Sequence, residues 1–205
     1  MALWRLCRTP IGTAPSARVV GALQRAWGNE GMAAKGEYTA EVIRYAMTAN
    51  GPILECGSGL TTILLTALAG QRGIHVWSLE HMSTWYTRVA KTIDRLGVPA
   101  IHVVYVPLQA YGAYDWYAPP FPVMPTDFQV VICDGPPGST PGGRYGLLPI
   151  MRDHLVPGAI VLLDDAHRPA EREVLDRWAS EAGWRATVHE TFAVVTTPSS
   201  PFQCR

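Results

Sequence analysis

The chain has 205 residues, and its 17 Lys+Arg balance its 17 Asp+Glu, so its formal charge is zero. Neutrality argues against a nucleic-acid binder, which would carry a basic surplus, and no apolar run reaches the length of a membrane span. With 48% hydrophobic residues, a sizeable core is expected. Cys7, Cys56, Cys133 and Cys204 show neither pairing nor metal-ligand spacing, which suits a reducing cytoplasm.

Residues 1–35 read as an N-terminal extension with one helix, from Ala17 to Trp27, stopped by Gly28-Asn29-Glu30-Gly31. That helix is a candidate homodimer contact. Met1 to Arg8 interrupts its apolar letters with arginines and reads as no signal peptide. Residues 36–200 form the main domain. Its first helix runs from about Glu37 to Ala49, with Val42, Ile43, Ala46 and Met47 on one face. A strand then leads from Pro52 to Glu55, into Cys56-Gly57-Ser58-Gly59 and straight into a helix. Strand two runs from Ile74 to Leu79, and the next helix aligns Trp85, Val89, Ile93 and Leu96. Strand three is Ile101 to Tyr105. An aromatic segment, 111–122, reads as a loop that is a substrate wall, a partner surface or packing over the sheet edge. Strand four is Phe128 to Cys133, followed by a glycine-rich loop, 138–146, that carries Arg144. Strand five is Ala159 to Leu163, and a helix from Pro169 to Glu181 buries Val174, Leu175 and Trp178. Trp184 to Val188 and Phe192 to Thr196 read as a closing hairpin, turned at His189-Glu190.

Apolar strands separated by helices imply an α/β, doubly wound, mostly parallel sheet covered on both faces. Ligands in such sheets bind beyond the carboxyl ends of the strands. Acids stand at four of those ends: Glu55, Glu80, Asp134, and the pair Asp164-Asp165. Each has a plain alternative, as a turn acid, a helix cap, a turn opener or a helix-dipole partner. Together they form one ligand rim more economically. Gly57 and Gly59 let a ligand approach backbone amides at a helix N-terminus. Glu55 would repel a dinucleotide pyrophosphate and attract a cationic nucleoside. Glu80 follows Gly59 by twenty-one residues, the place of an acid that binds ribose hydroxyls. Thr62 stands where a dinucleotide fingerprint would have its third glycine.

The motifs Leu54-Glu55-Cys56-Gly57-Ser58-Gly59, Leu79-Glu80, Val131-Ile132-Cys133-Asp134-Gly135-Pro136-Pro137 and Pro157 to Asp165 resemble, in order, those of the class I S-adenosylmethionine-dependent methyltransferases. The resemblance spans about residues 35–197. It implies a Rossmann-like seven-stranded sheet in the order 3-2-1-4-5-7-6, strand seven antiparallel, with helices on both faces. It implies S-adenosylmethionine as cofactor, held by Glu55, Gly57, Ser58, Gly59, Thr62, Glu80, His81, Leu108 and Asp134, with Pro107 and Leu108 beside the adenine. Lys35-Gly36-Glu37-Tyr38 falls where related enzymes close over the methionine end.

The resemblance is strongest to small-molecule O-methyltransferases. In their metal-dependent branch, residues matching Asp134, Asp164 and Asp165 hold a hard cation such as Mg²⁺, which activates a substrate hydroxyl. This chain has Pro137 where members similar to catechol methyltransferase place a lysine. The alternative base is His167, oriented by an aspartate, with Asp134 beside it in the catalytic set. Arg144 is either an anion clamp or a surface residue. The expected activity is methyl transfer to a small-molecule hydroxyl, with no nucleic-acid or membrane partner. A Rossmann-type NAD oxidoreductase and a non-catalytic cofactor-binding scaffold are the alternatives.

Overall fold

Strands that are apolar at every position sit where both faces of a sheet are covered. β1 (Ile53–Cys56) and β2 (Val76–Glu80) are buried throughout, and β6 (Phe128–Cys133) at all but one residue. This computed structural model describes residues 15–28, 34, 36–95, 97 and 101–199, together with Arg5 and Thr13. The expectations placed on Lys35, Leu96, Cys7 and Cys204 lie outside the described residues. β1, β2 and β6 are joined by β3 (Ile101–Tyr105), β7 (Leu155–Asp164), β8 (Arg185–Val188) and β9 (Phe192–Thr196) in one seven-stranded sheet, ordered β3-β2-β1-β6-β7-β9-β8. The first five pairs of neighbours include four parallel ladders, and β9 runs antiparallel to both β7 and β8.

The expected order counted sheet strands alone. Two further strands, β4 (Leu108–Ala110) and β5 (Asp115–Tyr117), pair only with each other and raise the later numbers by two. The aromatic segment is therefore a hairpin rather than an open loop. Trp116 and Tyr117 are fully buried, while Tyr111 stacks on Tyr114. β7 also starts earlier than expected, because Leu155 pairs with Phe128 and the Gly158 N–H donates to the Pro198 carbonyl.

The helices are α1 (Ala17–Trp27), α2 (Gly36–Thr48), α3 (Leu60–Arg72), α4 (Ser83–Asp94), α5 (Leu147–Met151) and α6 (Pro169–Ala182). Side chains alternate across the sheet with period two. Val130 and Ile132 of β6 join Val42, Ile43, Leu64 and Leu65 from α2 and α3. Val131 and Cys133 join Trp116, Tyr117, Trp178 and Trp184 on the other face. α1 ends at Gly28, whose left-handed φ of 70° lets its N–H return to the Gln24 carbonyl. Leu23 of α1 packs into the same cluster as α2. Among the described residues, no helix is long and apolar enough to cross a membrane.

Candidate cofactor and acceptor site

The carboxyl ends of β1, β2, β6 and β7 meet at one rim. Gly57 has a φ of 90°, a conformation that side chains avoid. A Cβ there would lie 3.1 Å from the Gly135 nitrogen, so the turns after β1 and β6 touch backbone to backbone. On the open side of the turn, a Cβ on Gly59 would meet no atom within 4 Å. The Ser58 N–H and hydroxyl both donate to Glu80 Oε2, at 3.0 and 2.8 Å. Glu80 Oε1 accepts from the Met82 N–H at 2.8 Å. The acid at the end of β2 thus ties the glycine turn to the start of α4. His81 stands next to it, with Nδ1 3.4 Å from Glu80 Oε1, an ion pair when the ring is protonated.

The hairpin closes this corner. Leu108 faces Tyr117 across it, and the Tyr117 ring meets His81 edge-on at 6.0 Å. The Tyr117 hydroxyl is buried with no hydrogen-bond partner among the described residues, and a Cβ on Gly135 would collide with it. Burial pushes this phenol well above its ordinary value, so it stays a neutral donor. A buried hydroxyl without a partner costs free energy. A ligand acceptor at the turn would satisfy it.

Glu55 corrects the expectation of a charge facing the ligand. It is 0% exposed and accepts from Thr61 at 2.5 Å, Thr62 at 2.6 Å and Ser78 at 2.5 Å. Burial pushes it up to about 7, against the pull of those three hydroxyls. The Thr62 hydroxyl also accepts the Gly59 N–H at 2.8 Å. Glu55 therefore acts on the turn from beneath, through Thr62, and has no open face toward a ligand ammonium. The legible signal was Ser78, a hydroxyl in an otherwise apolar strand and the register partner of Glu55.

Asp134, Asp164 and Asp165 do converge, each offering a carboxylate oxygen within 4.8 Å of the others. Between them lies Arg144, which is only 2% exposed. Its Nη2 donates to the Asp134 carbonyl at 3.0 Å, to Asp134 Oδ1 at 3.2 Å and to Asp165 Oδ2 at 3.2 Å. Its Nη1 donates to the Asp164 carbonyl. Arg168 adds a second cation, 2.8 Å from Asp165 Oδ2, and the Asp165 N–H donates to Asp164 Oδ1 at 2.8 Å. Burial raises Asp164 above its usual range, although that N–H opposes the rise. Burial raises Asp134 too, against Arg144 and with the help of the neighbouring carboxylates. Two guanidinium groups thus face three carboxylates. Asp134 Oδ1 and Asp165 Oδ2 are engaged by arginines and Asp164 Oδ1 by a backbone N–H, so a divalent cation held by these carboxylates would compete with Arg144 and Arg168. Asp165 is held at a φ of 59°, unusual for a side-chain-bearing residue, and these arginine contacts pin it there.

Arg144 is the residue whose importance the sequence left undecided. It is neither a surface group nor an exposed anion clamp. His167 is exposed on the turn after β7, and no hydrogen bond among the described residues joins it to an aspartate. The reason is competition, since Asp165 is already claimed by Arg144 and Arg168.

No family model matches the chain, and no curated protein matches it. Solved structures do. The precorrin-6y C5,15-methyltransferase of Geobacter metallireducens is similar at 11% identity, with a TM-score of 0.60 over 83% of this chain and 92% of its own. An O-methyltransferase of Bacillus cereus, in complex with S-adenosylhomocysteine, is similar at 13% identity and a TM-score of 0.57, over 89% and 92%. An RNA methyltransferase of Salinibacter ruber, also with S-adenosylhomocysteine, is similar at 16% identity and a TM-score of 0.53, over 84% and 97%. The chain has the fold of the class I S-adenosylmethionine-dependent methyltransferases.

Proposed function

We propose that this protein transfers a methyl group from S-adenosylmethionine to a hydroxyl oxygen of a small molecule. The observation that carries the reading is the Ser58–Glu80 latch. It holds Glu80, the acid this reading assigns to the ribose, against a glycine turn that opens to free space. Beside it wait two polar atoms without hydrogen bonds among the described residues, the Tyr117 hydroxyl and His81 Nδ1. Glu80 would accept from the ribose hydroxyls, with Ser58 yielding its place on Oε2. Leu108, His81 and Tyr117 would form the adenine and ribose wall. The amides of Gly57, Ser58 and Gly59 would meet the methionine end. Neutral overall charge favours a small acceptor over a polyanion.

When bound, S-adenosylmethionine would supply an electrophilic methyl carbon, to which the acceptor oxygen bonds in line as the carbon–sulfur bond breaks and S-adenosylhomocysteine leaves. The chain's own contribution is alignment of the two reactants in a dry corner. Asp134, whose main chain rests against Gly57, is the group placed to take the hydroxyl proton. Arg144 fixes that carboxylate and brings a positive charge to it.

Calorimetric titration tests this with S-adenosylmethionine, S-adenosylhomocysteine and NAD. The expected outcome is binding of the first two and not of NAD, weakened about tenfold or more by Glu80→Ala, which removes charge-assisted bonds to the ribose. Binding of NAD, or equal affinity in the variant, would refute the reading.

A further inference from the structure

A second cavity, of about 340 Å³, opens between the 138–145 turn and α6, with Thr140, Arg144, Tyr145, Glu171 and Arg177 in its lining. That size is at the small end for ligand pockets. Glu171 is the unusual member. It sits in the first turn of α6, is 2% exposed, and its Oε2 has no hydrogen-bond partner among the described residues. Its other oxygen rests against Gly138, where an added Cβ would lie 3.3 Å away. A buried carboxylate oxygen left alone is costly.

Among the described residues, the arginines bordering the cavity pair with other carboxylates. Arg144 serves the aspartate cluster, although its buried Nε has no partner among the described residues. Arg168 is on Asp165. Arg177 pairs with Glu181 at 3.1 Å and lies over the Tyr145 ring at 3.4 Å. A hydroxyl would offer that oxygen a neutral hydrogen bond. A protonated amine offers a charge-assisted one, roughly twice as strong. Arg144 is the wall shared between this cavity and Asp134, so a molecule seated here borders the candidate site.

We infer that this cavity is a subsite for a cationic amine, and that the methyl acceptor carries one, docked on Glu171. The amine's role as methyl acceptor rests on the methyl-transfer reading. The amine site stands on Glu171 and its cavity.

The test uses phenethylamine and its uncharged counterpart 2-phenylethanol as probes, on the full chain, with S-adenosylmethionine affinity measured on the same samples. Phenethylamine should saturate the wild type and bind Glu171→Gln about tenfold or more weakly, while 2-phenylethanol should not distinguish the two. Ala170→Trp, which fills the cavity without altering Glu171, should abolish amine binding. Glu171→Gln should also raise the urea midpoint of the free protein, because it removes an unmatched buried carboxylate. A Glu171 serving only the fold would lower it instead. Equal amine binding by wild type and both variants, no amine binding at all, or a lowered midpoint overturns the proposal. Failure of S-adenosylmethionine to bind while the amine response holds would sink the methyl-transfer reading and leave the site intact.

Discussion

Two residues carry most of what is chemically distinctive. Glu55 is sealed under three hydroxyls, and its proton is held up to about 7, whereas an unfolded chain releases it near 4.5. Unfolding between those values therefore releases a proton, so this group's contribution to stability falls as pH rises through that window. Glu55→Gln removes the titration. Relative to the variant, the wild type should lose stability between about pH 5 and about pH 8, by up to about 3 kcal/mol. Urea midpoints at both pH values check this, and parallel profiles would contradict it. Arg144 is the second residue. Arg144→Met leaves three crowded carboxylates without their central cation, and should cost about 3–5 kcal/mol. It also frees oxygens suited to a hard cation. Equilibrium dialysis should then detect Mn²⁺ on the variant, and an unchanged unfolding midpoint would refute the arginine's role. The sequence located the acids, because each ends an apolar strand. It left the partners open, since Ser78 and Arg144 reach Glu55 and the aspartates only through sheet register and loop packing.

At the scale of elements, the hairpin is what sequence reading missed. Its strands have three residues each, too short for alternation to show, and its aromatic letters suggest a surface as readily as a core. Its position is fixed by the glycine-rich turn. Gly146 has an ordinary helical φ of −56°, so alanine there is conformationally acceptable. A Cβ would nevertheless press on the fully buried Trp116 ring at 2.7 Å. Gly146→Ala should therefore destabilise by about 1–3 kcal/mol through overpacking alone. It should also weaken S-adenosylmethionine binding, because β5 carries Tyr117. Urea unfolding and calorimetry on the same variant check both, and a neutral effect would mean that the hairpin yields freely. The longer elements were legible for the opposite reason. β6 is legible as an almost unbroken apolar run, and α6 repeats its helical period often enough that burial leaves a readable pattern.

At the scale of the molecule, strand order rather than the charge of Glu55 sets this chain apart from a dinucleotide enzyme. The charge of Glu55 does not face the turn, so it no longer separates the two cofactors. Topology does: a Rossmann dehydrogenase orders its strands 3-2-1-4-5-6, whereas here antiparallel β9 lies between β7 and β8. The alternation of apolar strands and helices made the doubly wound class legible. The closing hairpin pattern supplied the last two strands, although spacing alone does not say which of them touches β7.

That insertion also sets an order on biosynthesis. Arg185–Val188 leaves the ribosome before Phe192–Thr196, yet only the later segment can join the earlier one to the sheet. Until it emerges, the outer edge of β7 is bare, and a bare apolar edge invites other chains. The nascent protein is most adhesive just before its final strand arrives, when a holding chaperone would matter most.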